Sequence, residues 1–148
     1  MPKYPSPGVY TEEITGHARS IQAASNDLTL FVGVPPGDSS PEARVVTGWQ
    51  EFVDIWGRPS RIDLAGASSP NYLAYAAHAY FQNGGSRLCV APVGATGGEP
   101  EAGDYAAALA SSLAFADISL VHAPGASTWA QREAIEDVLV AHVEDEPG

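Results

Sequence analysis

Gly94-Ala95-Thr96-Gly97-Gly98, "GATGG", follows an apolar run and could cradle a phosphate with its backbone N–H groups. A phosphate loop of the P-loop kind also needs Lys followed by Ser or Thr. Here the chain runs instead into Glu99, Pro100 and Glu101, with Asp104 close behind, and three carboxylates repel an anion. Ser127 is a second candidate, a nucleophile at the end of another apolar run. An exposed nucleophile elbow requires Gly-x-Ser-x-Gly, whereas Ser127 follows "APGA" and reads as part of a helix cap. Histidines 17, 78, 122 and 142 fall in a linker, a helix, a strand end and a second helix. No pair of them shows metal-ligand spacing with Cys or acidic residues. His122, at the strand end, is the best placed for proton transfer, although a structural imidazole is the simpler reading. Cys89 is the single cysteine, so no internal disulfide forms; Leu88 and Val90 beside it predict a buried strand thiol with no base to activate it. No catalytic, cofactor-binding or metal-binding set emerges, and the expectation is a protein that is not an enzyme.

The elements that would carry such residues belong to a chain of 148 residues with 45% apolar residues, enough for one core. A net charge of −11 opposes binding to phosphate backbones, so nucleic acid is not an expected partner. The acidity suits solubility or a basic partner surface. No run approaches the roughly 20 apolar residues of a membrane helix, and the first residues lack the apolar segment of a signal peptide. The expected location is the cytoplasm at synthesis.

Residues 28–34, "LTLFVGV", form an apolar, strand-forming run closed by Pro35-Pro36-Gly37. A short strand around Arg44–Val46 comes next. Thr47 is then expected to cap a helix, with Gln50 in the reciprocal position and Trp49, Phe52, Val53 and Trp56 on one face, ending at Gly57. "RPSRIDLAGAS" reads as a surface loop. Ser69 with Pro70 at the first helical position predicts another helix, whose inner face is Tyr72, Leu73, Ala76, Ala79, Tyr80 and Phe81, stopped at Asn83-Gly84-Gly85. "RLCVAPV" is a strand, with Pro92 expected at its end or on a sheet edge. An acidic loop, an Ala-rich helix over about 104–113, a third buried strand "ISLVHAPG" and a last helix capped by Thr128 and Gln131 complete the chain. The alternation predicts an α/β fold, a three-layer-like sandwich with a mostly parallel sheet flanked by helices. The chain reaches "EDEPG" where such a domain would enter another strand; either the last helix closes the fold or a longer protein continues from it.

Ahead of all this stands "PGVYTEEI". Pro7 and Gly8 isolate a strand-like segment in which Val9, Thr11 and Glu13 alternate with Tyr10, Glu12 and Ile14. A small, polar stretch containing Thr15, Gly16, Arg19, Ser20 and Ile21 separates it from the core. A plain flexible tail would not need Val, Tyr and Ile in alternation. An unpaired strand can complete the sheet edge of another subunit. The division expected is an extended arm and linker over residues 1–26 and an α/β core over 27–148.

"SPGVYTEEI", "TGHARSI", "LTLFVGVPPG", "VVTGWQEFVDIWG" and "YFQNGGSRLCVAPV", in this order across residues 6–93, resemble the N-terminal part of contractile tail sheath proteins of phages, tailocins and contractile injection systems. The resemblance implies a structural subunit of a virion tail or contractile particle, without cofactors. Such subunits stack as hexameric rings in a helical sheath around an inner tube that meets a baseplate. It also implies that Pro7, Gly8, Val9, Tyr10, Thr11, Glu12, Glu13 and Ile14 form an arm donated to neighbours, and that Thr15, Gly16, Arg19, Ser20 and Ile21 act as hinge. Sheath proteins are usually longer, with a C-terminal domain that carries the receiving sheet and the tube contact; this chain is expected to lack it. Pro92 departs from the continuous β-branched strand of the family. Two other readings stay open: a small α/β ligand-binding or enzymatic domain using "GATGG" or His122, and a non-contracting adaptor or cap with the same fold.

Overall fold

The computed structural model describes residues 28–37, 41–64, 66–95 and 98–145. The proposed arm and hinge, Pro7–Ile21, lie outside these residues. The apolar run at the start of the core forms β1 (Leu28–Gly33), and "RLCVAPV" supplies β5 (Leu88–Pro92) beside it. The two are parallel, with Leu30 opposite Cys89 and Phe31 opposite Val90. On the other side of β1 runs β6 (Ile118–His122), also parallel, with Leu30 opposite Val121 and Phe31 opposite His122. A short antiparallel strand, β2 (Arg44–Val46), closes the far side of β5, giving the order β2-β5-β1-β6. Pro92 ends β5, opposite Gly33, where the missing N–H interrupts nothing.

Strand alternation distributes the core between two faces. Leu28, Leu30 and Val32 of β1, with Cys89 and Ala91 of β5, pack under α3 (Ala102–Ser112) and α4 (Arg132–Asp145) against Tyr105, Leu109 and Ile135. Phe31, Leu88 and Val90 point the opposite way, onto α1 (Trp49–Trp56) and α2 (Tyr72–Gln82), where Phe52, Trp56, Leu73 and Ala77 meet them. Helices therefore cover both faces of a mostly parallel sheet, and each buried Leu or Phe contributes about 1.5–3 kcal/mol. In α1 the predicted face is present: Trp49 stacks on Phe52 and Phe52 tilts onto Trp56, with ring centroids 5.3 and 5.1 Å apart. Gly57 ends it.

Several local expectations are corrected. "RPSRIDLAGAS" is not a loop. It contains β3 (Arg61–Leu64) and β4 (Ala67–Pro70), an antiparallel hairpin in which Leu64 faces Ala67. Ile62 and Leu64 alternate inward onto the α3 side of the core, and Gly66, at φ 79°, takes the left-handed turn position. Ser69 and Pro70 end β4 instead of opening α2. The cap is Asn71, whose Oδ1 accepts the Ala74 N–H at 2.8 Å. The buried face of α2 is Leu73, Ala74 and Ala77; Tyr72 and Ala79 are exposed. Gly48, not Thr47, caps α1. Thr47 stands one residue earlier and donates its N–H and hydroxyl to Glu51 Oε2, while Gln50 bonds Asp54. Thr128 and Gln131 form no cap box: Thr128 bonds back to the Gly125 carbonyl in a 3-10 turn (Ala126–Thr128), and Gln131 accepts the Ala102 N–H. These substitutions share one cause. Several polar side chains compete for each helix start, and the path of the incoming chain selects among them.

The largest correction concerns β6. It was expected to be buried, but among the described residues it is an edge strand, and Leu120 at its centre is 53% exposed.

Candidate functional site

In open α/β sheets, ligands sit beyond the carboxyl ends of the strands, where the strand order reverses. Here β1 connects to β5 on one side, and β5 connects through α3 to β6 on the other, so the reversal lies between β1 and β6. Two hollows open at this end. One, of about 550 Å³, lies beyond β1 and β5 against the β3–β4 hairpin, lined by Pro35, Pro36, Arg61, Asp63 and Val93. Arg61, the one cation among its described lining residues, is engaged: it donates Nη2–H to the Ser68 carbonyl at 2.7 Å and Nε–H to the Ser68 hydroxyl at 3.0 Å. The other, a groove of about 930 Å³, runs from the end of β6 between α2 and α4. Tyr72, Tyr75, His122, Arg132, Glu133 and Glu136 line it, together with Ser127 and Leu139.

Among the described residues, the chemistry-bearing side chains do not assemble into a reactive set; His17 lies outside them. His122 does lie in the groove, its ring edge-on to Phe31 at 5.3 Å. Partial desolvation of the ring holds its imidazole below the usual range. Ser127 sits in the 3-10 turn along the same groove, with no base bonded to it among the described residues. Cys89 is fully buried in β5, and desolvation pushes its thiol up to about 12, so it is inert. His78 packs on Trp49 at 4.6 Å, a structural contact. His142 lies in the last turn of α4.

The acids around "GATGG" have structural work to do. Glu101 caps α3, and Asp104 Oδ2 reciprocates by accepting the Glu101 N–H at 2.9 Å. Glu99 Oε2 accepts the Ala130 N–H at 3.0 Å, tying the loop to the turn before α4. Sequence reasoning missed this capping box, though Glu101-x-x-Asp104 was there to be read. Among the described residues no three His, Cys, Asp or Glu side chains gather where they could hold a metal ion. No described helix is long and apolar enough to cross a membrane.

The outer edge of β6 is the feature that sequence reasoning did not find. No strand pairs with it among the described residues, so its outward N–H and C=O groups are unsatisfied by the sheet. A second hollow, of about 160 Å³, lies along its other half, lined by Leu113, Ile118, Ser119, Val121, His142 and Val143. The two grooves share Val121, while Leu120 at the centre of the strand lines neither. Exposed Leu120, alternating with Val121, was the one available signal, and it is a weak one.

No protein-family model matches this chain, and no curated protein matches it. Among solved structures, the fold is similar to a chain in the cryo-EM structure of the anti-feeding prophage (AFP) baseplate in contracted state. The TM-score is 0.56 at 24% identity, over 94% of this chain. This chain spans 36% of the length of that one.

Proposed function

We propose that this chain is a structural subunit of a contractile injection apparatus, of the sheath type, and not an enzyme. The observation that carries the reading is the fold likeness, over 94% of the present chain, to a chain in a contracted-state baseplate structure. The sheath-like order of "PGVYTEEI", "LTLFVGVPPG" and "NGGSRLCVAPV" supports it independently. On this reading the chain is made in the cytoplasm and joins others of its kind in stacked hexameric rings around an inner tube, above a baseplate. Residues 7–14 pass to a neighbouring subunit as a strand, and residues 15–26 serve as the hinge that stays attached while rigid α/β bodies rotate. Each donated ladder bond contributes about 1 kcal/mol net, and repetition along a polymer multiplies it. Energy stored in a metastable extended assembly needs no nucleotide, consistent with loop acids committed to capping at Glu99, Glu101 and Asp104.

Deletion of residues 1–15 tests the reading directly. The expected outcome by electron microscopy is loss of ordered polymers with the circular-dichroism spectrum of the core retained; normal polymers from the deletion refute strand donation. A second reading, a non-contracting adaptor with the same fold, is favoured by the fact that the similar chain belongs to a baseplate structure. Short, capped rings in place of long tubes would identify it.

A further inference from the structure

We infer that the groove between α2 and α4 is a docking site for an arginine-bearing segment of a second protein, with the guanidinium set between the tyrosines of α2 and the carboxylates of α4. The inference rests on the groove alone and goes beyond the structural role proposed above.

The two walls of the groove differ in kind. Tyr72–Gln82 carries no Asp, Glu, Lys or Arg, and what it presents is aromatic: Tyr72 is 38% and Tyr75 51% exposed. Spaced three residues apart, they share one face of the helix. Tyr72 is also held in place. Its ring lies over Gly125, where a Cβ would come 2.7 Å from Tyr72 Cδ2, so glycine is what lets the ring seat against the turn. Tyrosines beside a concave surface are typical anchors of protein interfaces. The facing wall is acidic. Arg132–Asp145 holds five carboxylates against one arginine, and Glu133 and Glu136, both exposed, line the groove. Arg132 lines it as well, offsetting one of these two charges and leaving one carboxylate in excess. Half-buried Val121 and Leu139 add apolar surface.

That combination selects the occupant. An arginine guanidinium can stack flat on a tyrosine ring and at once present a fork of donors to a carboxylate. Its methylene stem covers apolar surface of the kind Val121 and Leu139 offer. A phosphate or an acidic segment would meet like charge, whereas the −11 of the chain draws a basic partner toward it. A second copy is a poor source of the cation. Its net charge opposes approach, its Arg61 is tied to Ser68, and its Arg132 already lines the groove. At about 930 Å³ the groove lies at the upper end of the range for ligand sites, with room for the side chain and a stretch of its backbone.

The test uses the full chain and a short fluorescein-labelled peptide of alternating arginine and leucine, followed by fluorescence anisotropy. A counterpart peptide with glutamate in place of arginine is one control. Asp54→Asn, on the exposed side of α1, is the control for loss of a charge elsewhere. Tyr75→Ala and Glu136→Gln each alter one wall, and both side chains are exposed, so melting curves should match that of the parent. The expected result is saturable binding of the arginine peptide, weakened about tenfold by Tyr75→Ala and by Glu136→Gln and unchanged by Asp54→Asn. Binding that falls equally with Asp54→Asn and Glu136→Gln is diffuse attraction to an acidic body and overturns the inference. Equal binding of the glutamate counterpart, or no binding of the arginine peptide, overturns it too. Loss of self-association in Tyr75→Ala, read by sedimentation, would assign the groove to a second copy and likewise refute it. The sheath reading stands or falls separately, on the deletion of residues 1–15.

Discussion

Asn71 holds three parts of the molecule with one side chain and one amide. It is fully buried; its Oδ1 caps α2 at Ala74, its Nδ2 donates to the Val34 carbonyl at 2.9 Å, and its N–H bonds the Ser60 carbonyl. Asn71→Ala removes the cap and strands a buried carbonyl after β1. The expected loss is about 2–3 kcal/mol, read as a lower urea midpoint at unchanged m-value. Titration can be argued at the same scale. Burial raises the Cys89 thiol from 9.0 and the Tyr105 hydroxyl from 10.0, each up to about 12; for Tyr105 it outweighs the lowering by the hydrogen bond from Trp129. Both groups stay protonated in the folded chain while the unfolded chain releases its protons. Folding stability should therefore fall as pH rises from 9.0 toward 12, and urea midpoints across that span would check it. Cys89 should likewise resist thiol reagents at pH 8 until the chain is unfolded.

At the scale of elements, the two ends of a helix carry different constraints. Gly103, in the first turn of α3, has open space where a Cβ would sit. Gly103→Ala should stabilise by up to about 1 kcal/mol, by restricting the unfolded chain and favouring helix. Gly85, after α2, has the Tyr80 ring where its Cβ would fall, and its N–H closes the helix end on the Tyr80 carbonyl at 3.0 Å. Tyr80 is also tied by its hydroxyl to the Arg87 carbonyl at 2.8 Å, so it cannot swing away freely. Gly85→Ala should be destabilising, and opposite shifts of melting temperature for the two variants would confirm the contrast. The turn Asn83-Gly84-Gly85 was legible because glycine leaves few alternatives there. The β3–β4 hairpin was not, because Ile62 and Leu64 give only two alternating apolar positions amid polar residues, too short a pattern to separate from a loop.

The chain is strongly acidic, and among the described residues both outer strands of its four-stranded sheet, β2 and β6, have an unpaired side. Identical chains of charge −11 repel, so any self-assembly works against a long-range field that salt screens. Assembly of the full chain should strengthen as ionic strength rises toward physiological values, followed by sedimentation. Weakening over that range would point to a basic partner surface instead of a second copy.

Amino-acid order alone determined the periods of the elements: the apolar runs of β1 and β5, the aromatic stripe of α1, and the alternation that makes a sheet with helices on both faces. These depend on neighbours within a few residues, where side-chain chemistry dominates. Only the tertiary structure decided that Asn71 and not Ser69 opens α2, that Glu99 ties its loop to the turn before α4, and that β6 and not β5 lies at an open edge. Strand order comes from pairing between residues scores of positions apart, and a short apolar run looks the same whether one neighbour or two will lie beside it.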